Sequence, residues 1–179
     1  MIEKFFTERN TAIVYILLFI IEIVIIRNFY FSLPDKIATH FGNMNNPDGF
    51  SDKFNFILIY NVFLFFLILM FYGINIFIKK SSNSMINVPK KEYWLAPERR
   101  DITISMLQAN LNFFGIITFV FMLVNLIFII DANLSSPIKL NNDFWIALML
   151  FLVSTMAWLI RLLMVFSKVE EDEEESESE

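Results

Sequence analysis

His40 is the chain's single histidine, and it stands between Asp35 and Asp48 in the segment 32–53. An imidazole and two carboxylates can bind a cation or carry a proton, so a loop that folded these three together could hold a metal. One histidine makes a weak site. Hydrolysis needs a nucleophile oriented by a base, or a second strong ligand, and the sequence offers neither constellation. The absence of cysteine removes thiolate metal sites, thiol catalysis and disulfides together. The expectation is a chain with no enzymatic activity, no cofactor and no metal.

The same segment is ordered in another sense. Leu33, Pro34, Asp35, His40, Phe41, Pro47, Asp48, Gly49 and Lys53 form a motif that reads as ligand-binding or structural. Pro34 and Pro47 fix the backbone, Asp48-Gly49 predicts a tight turn, and Gly42, Asn43, Asn45 and Asn46 tolerate positive φ. A loop punctuated in this way holds one shape, and a shaped loop on a membrane protein contacts something. A plug is the competing reading: Asp35 and Asp48 cap turns, His40 satisfies a carbonyl, and Phe41 and Phe50 close the mouth of a bundle.

The elements that position this loop follow from composition. Hydrophobic residues make up 56% of the 179 and come in blocks, which marks an integral membrane protein. Four runs, about 11–31, 54–78, 109–130 and 144–166, each have roughly the 20 residues that cross a hydrocarbon core. Without alternation they cannot close a β-barrel, so the fold class is an all-α membrane protein of four transmembrane helices. Residues 1–10 precede this domain of 11–168. The run 169–179 carries eight acids and reads as a disordered acidic tail.

Glu22 is the costliest residue in these runs. Near the midplane an acidic side chain costs about 3 kcal/mol, so it must face the bundle interior and find a partner, or be protonated. Asn61, Thr118 and Ser154 fall near its level, and Arg161 lies about a turn nearer one face. One reading is an interhelical hydrogen-bond staple, for which Glu22→Leu would loosen packing by about 1–2 kcal/mol. The other is a proton-coupled or substrate-binding carboxylate of a small transporter.

Basic residues set the expected orientation. Lys4, Arg9, Lys79, Lys80, Lys90, Lys91, Arg99, Arg100, Arg161 and Lys168 fall on one side, against Arg27, Lys36, Lys53 and Lys139 on the other. The positive-inside rule then puts both termini in the cytoplasm and the 32–53 loop outside. In the cytoplasmic loop Tyr93 and Trp94 beside basic residues suit an anionic membrane surface rather than nucleic acid. Pro97 followed by Glu98 is a helix-start signal. Ile102, Met106, Ala109 and Phe113 then share one face of a helix that runs along the interface or straight into the third span.

The pattern Leu33-Pro-Asp-x-Ile-x-Thr-His-Phe41, with Pro47-Asp-Gly-Phe50, Lys53, Tyr93-Trp94 and Pro97-Glu-Arg-Arg100, resembles the bacterial membrane domain of unknown function at the front of sporulation-delaying-protein immunity proteins. The resemblance spans roughly residues 10–130. It implies a multi-pass protein of the bacterial cytoplasmic membrane that senses or resists a secreted peptide toxin and signals to a cytoplasmic regulator. Where relatives have Asn-x-x-Gly after His-Phe, this chain has Gly42-Asn-Met-Asn45, and it has fewer spans than the immunity proteins.

The orientation is open to a direct check, because the chain lacks cysteine. A cysteine at Asn46 is expected to react with an impermeant thiol reagent from outside intact cells, and one at Ser82 to remain protected; the reverse pattern inverts the sidedness.

Overall fold

The computed structural model describes residues 5–168, so the acidic tail lies outside the described residues. Helix α1 (Glu8–Phe29) is followed by strands β1 (Lys36–Phe41) and β2 (Pro47–Asp52), and β2 runs directly into α2 (Lys53–Lys80). A one-turn helix α3 (Lys91–Trp94) precedes α4 (Arg100–Leu134), and α5 (Asp143–Ser167) completes the fold. Helices α1, α2, α4 and α5 are each long and apolar enough to cross a membrane.

Each helix starts where local chemistry allows. Thr7 caps α1 by accepting the Asn10 N–H at 3.2 Å, which places the start at Glu8, three residues ahead of the expected span. The signal at Pro97-Glu98 does not open α4. Those residues form a turn, and the helix begins at Arg100. Once begun, α4 is one continuous helix of 35 residues, about 52 Å long, which decides for direct continuation into the span. Its inward residues near the start are Thr103, Ile104, Ala109 and Asn110, whereas Ile102 is exposed.

Helix α4 is the shared spine, with α1, α2 and α5 each packing against it. The main core takes Tyr15 and Ile26 from α1, Leu33 and Ile37 from the hairpin side, Phe56, Leu64 and Phe71 from α2, and Phe119, Leu126 and Ile130 from α4. Gly115 makes room for a side chain of α1 against α4: a Cβ there would overlap the Tyr15 hydroxyl and press on the Phe71 ring. Helix α5 lies outside this core. It docks on α4 through Phe121–Phe151 and Phe114–Trp158 stacking, at 4.3 and 4.4 Å between centroids.

The end of the bundle away from the hairpin has a smaller core of Ile86, Val88, Leu95, Ile104 and Phe166. Here Trp94 belongs to the protein interior more than to a membrane surface. Its Nε1 donates to the Phe166 carbonyl at 2.8 Å, its ring packs edge-on against Phe166, and its carbonyl accepts from Thr103 Oγ1 at 2.6 Å. Arg100 donates to Asn83 Oδ1 and to the Ser81 carbonyl, tying the connecting segment to α4, while Arg99 lies over the Tyr93 ring. Tyr93, Trp94, Arg99 and Arg100 thus act as a clasp between α2, α4 and α5.

The hairpin is held by Asn133 of α4. Its Oδ1 accepts the Ala38 N–H at 2.7 Å, and its Nδ2 donates to the Ala38 carbonyl at 2.9 Å and to Ile129 at 2.8 Å. Asn133→Ala leaves both backbone groups of the fully buried Ala38 unpaired, an expected loss of about 1–3 kcal/mol. It should appear as a lowered Tm of the purified protein, with Asn133→Gln retaining no more than part of the difference.

Candidate functional site

The segment 32–53 is a two-stranded antiparallel hairpin rather than a series of turns. Residues Lys36, Ile37 and Ala38 face Asp52, Ser51 and Phe50, and bulges separate these pairs from His40–Gly49 and Phe41–Pro47. The tight turn predicted at Asp48-Gly49 is absent, because both residues lie in β2. The chain reverses instead at 42–46, with positive φ at Met44 and Asn45 and a backbone bond from Gly42 N–H to the Asn46 carbonyl at 2.9 Å. Asparagine accepts such a backbone readily, methionine less so.

The two faces of the hairpin do different things. Leu33 and Ile37 are buried in the bundle core and close its mouth, the role expected of Phe41 and Phe50, while Ala38, opposite Phe50 in the hairpin, is buried beside Asn133 of α4. Phe50 is exposed and Phe41 half-buried. The tip is fastened to the other end of the chain: Asn45 donates to Asn142 Oδ1 at 2.8 Å and accepts the Trp145 Nε1 proton at 3.0 Å, and the Leu140 N–H reaches the Asn45 carbonyl.

At the base, Lys53 gathers the end of α1. Its Nζ donates to the carbonyls of Leu33 at 2.7 Å and Tyr30 at 3.2 Å, sits 5.0 Å from the Tyr30 ring centre, and pairs with Asp35 at 3.6 Å. A cation beside the orphan carbonyls that follow a helix is favourably placed. The turn that closes α1 comes before Pro34, with the Ser32 and Leu33 N–H groups donating to the Phe29 carbonyl, and the Asp35 carbonyl accepts the Lys53 N–H at 2.8 Å.

On the outer face His40 Nδ1 meets Asp48 Oδ1 in a short contact, with side chains 74% and 53% exposed. Two glycines clear the space. A Cβ on Gly49 would come within 2.9 Å of the His40 Cβ, and one on Gly42 would overlap the Asp48 carboxylate. Asp35 is engaged at the opposite end of the hairpin, so the three residues that could have made a metal site are not brought together. Among the described residues no group of three His, Cys, Asp or Glu is placed to hold a metal.

The hairpin also lies inside a stretch that is similar to a known family. Residues 16–71 match the family model described as Domain of unknown function (DUF1648). No curated protein and no solved structure matches the chain. The DUF1648 stretch takes in most of α1, the whole hairpin and α2 as far as Phe71, and leaves the Tyr93–Arg100 motif outside.

Within the spans, Glu22 is fully buried, and neither carboxylate oxygen has a hydrogen-bond partner. The expected staple is therefore not formed. Asn61 donates to the Ile57 carbonyl and Thr118 to that of Phe114, each within its own helix, and Ser154 is exposed on α5. Arg161 reaches Asn110 Oδ1 at 3.0 Å, beside the Trp158 bond to the Asn110 carbonyl. Tyr60 of α2 is buried as well, and its hydroxyl donates to the Met122 carbonyl of α4. Alternation of polar and apolar residues could not have revealed Tyr60, since an aromatic at that depth reads as core.

This geometry reverses the staple's expectation for Glu22→Leu. An unpartnered carboxyl is replaced there by an apolar group of similar volume, so the variant should be as stable as the parent or more so, by about 1–3 kcal/mol. Thermal unfolding in matched lipid nanodiscs reads the difference, and a drop in Tm would show that Glu22 has a partner in the membrane.

Proposed function

We propose that this chain is a non-enzymatic protein of the bacterial cytoplasmic membrane, of sensor or immunity type, whose hairpin faces outward and contacts a secreted peptide ligand or toxin. The observation that carries the reading is the exposed His40–Asp48 pair. Surface pairs of this kind contribute about 0–1 kcal/mol, so the fold does not depend on it. A plug needs only the inner residues Leu33 and Ile37, whereas the outer face offers an imidazole, a carboxylate and the exposed apolar side chains of Met44 and Phe50 on a fastened scaffold. Such a surface suits a peptide, which brings both charge and apolar contacts.

The likeness of the 33–53 motif to the domain that opens sporulation-delaying-protein immunity proteins supports the same reading, as does the DUF1648 match over that region. In this proposal both termini are cytoplasmic, and the Pro97-Glu98 turn, exposed at the far end of the bundle, is where a cytoplasmic regulator would engage. A second reading, a small transporter or accessory subunit, draws on the buried and unpartnered carboxyl of Glu22. Against it, Glu22 lines neither the cleft that ends at Phe19 and Ile20 nor the one that begins at Ile23. A purely structural membrane protein is the third reading.

Cells of the native host lacking the gene, challenged with the spent medium of the parent strain, provide the test. Restoring the parent chain should restore growth, and His40→Ala or Asp48→Ala, at equal membrane abundance and with Tm unchanged within about 1 kcal/mol of stability, should not. Protection that falls only in proportion to folded protein would reduce the hairpin to a plug.

A further inference from the structure

The two edges of the hairpin are finished differently. On β1 the N–H and C=O of Ala38 are both answered by Asn133 of α4. Residues opposed in an antiparallel pair exchange two bonds or none, so Ala38 and Phe50, which face each other in the register, exchange none. The Phe50 N–H and C=O therefore point away from β1. The bond from the Lys53 N–H to the Asp35 carbonyl keeps the same phase along the ladder and turns the Asp52 N–H to that outer side as well. Among the described residues no group outside the hairpin bonds to the Phe50 backbone. Helix α4 packs on β1, while β2 touches its partner strand and the helix it feeds.

An open edge of donors and acceptors is a template for an extended chain, and its surroundings select the side chains of that chain. The Phe50 ring is 55% exposed beside the open rung. Asp35, Asp48 and Asp52 are exposed on the hairpin and its base, and the Asp52 carboxylate does not cap α2. Lys53 is withdrawn to the carbonyls of Tyr30 and Leu33, which leaves the ammonium of Lys36 against these acids. A hollow of about 290 Å³ between Lys36, Phe50, Ser51, Asp52 and Asn55 opens at the same edge. Charge complementarity there favours a base.

We propose that the β2 edge takes a basic, extended peptide segment as a third strand. Its backbone bonds to the N–H and C=O of Phe50 and to the Asp52 N–H, an apolar side chain lies on the Phe50 ring, and a lysine or arginine stands beside Asp52. This inference rests on the hairpin being a peptide-contacting surface and gives that surface its mode of binding.

A fluorescent Lys-Val-Lys-Val-Lys-Val amide, titrated by anisotropy against the full chain in phosphatidylcholine nanodiscs, tests the assignment without an anionic lipid to attract the probe. Binding is expected to saturate and to weaken as salt is raised. The same peptide N-methylated at every residue keeps its charge but cannot donate, and should bind at least about tenfold more weakly. Phe50→Val removes the ring and keeps the edge N–H, whereas Phe50→Pro also removes that N–H, which the fold leaves unused, so Phe50→Pro should bind at least about tenfold more weakly than Phe50→Val. The N-methylated probe on the parent chain decides the matter if Phe50→Pro fails to fold. Asp52→Asn should weaken binding about two- to threefold. No saturable binding, equal binding of the methylated probe, or a parent dimer that Phe50→Pro dissociates, which would give the edge to a second copy, each overturns the proposal. The two readings fail separately. If Phe50→Pro protects the host as well as Phe50→Val does while His40→Ala does not protect, the contact surface stands and strand addition falls; probe binding that obeys the edge without protection of the host leaves strand addition and removes the immunity reading.

Discussion

Three asparagines on α4 hold this membrane protein together. A buried polar group is shut off from water, so leaving it without a partner in the protein is costly. Asn133 takes both backbone groups of Ala38 in the hairpin, Asn112 accepts from Asn75 of α2 and donates to the Phe6 carbonyl, and Asn110 accepts from Arg161 of α5. Since α4 is the helix against which the other three pack, these bonds set the register of every neighbour with the spine. Apolar contact alone would not do so, because lipid tails offer side chains much the same environment as another helix does.

That arrangement separates scaffold from display. With Ala38 clasped by Asn133, Lys53 collecting the end of α1, and Asn45 joined to Asn142 and Trp145, the hairpin is tied to all four long helices. Its outer face makes little contribution to this fastening. His40, Asp48, Met44 and Phe50 are consequently free to vary in role without loosening the fold, which is the physical condition for a recognition surface on a rigid support. The opposite end is closed by a different device, the Trp94–Phe166 contact and the Arg100 bonds.

Glu22 departs from the logic of paired polar groups. It is buried without a hydrogen bond, in a helix whose other inward polar atoms, Thr11 Oγ1 and the Tyr15 hydroxyl, are also unpartnered. Helix α1 thus carries an unusual share of the fold's unsatisfied polarity. It lies beside two clefts, one at each end.

The four spans, their helical nature and the special status of segment 32–53 were legible in the residues alone. Blocks of about twenty apolar residues admit no other folded form in a bilayer, and prolines with glycine and asparagine between them mark a built loop. What the loop would become was not legible: the positive φ at Met44 and the strand conformation of Asp48-Gly49 depend on pairing across the hairpin, a contact that no local propensity encodes. Lys53 could be singled out by its place in the motif, but its work on the Leu33 and Tyr30 carbonyls required α1 and α2 to meet. Depth arithmetic placed Asn61, Thr118 and Ser154 near the level of Glu22 and Arg161 about a turn nearer one face, yet depth fixes only one coordinate. Rotation about each helix axis decides which side chains meet, and packing around α4 set that rotation, turning Asn61 to its own helix, Ser154 outward, Arg161 toward Asn110 and the Tyr60 hydroxyl toward the Met122 carbonyl.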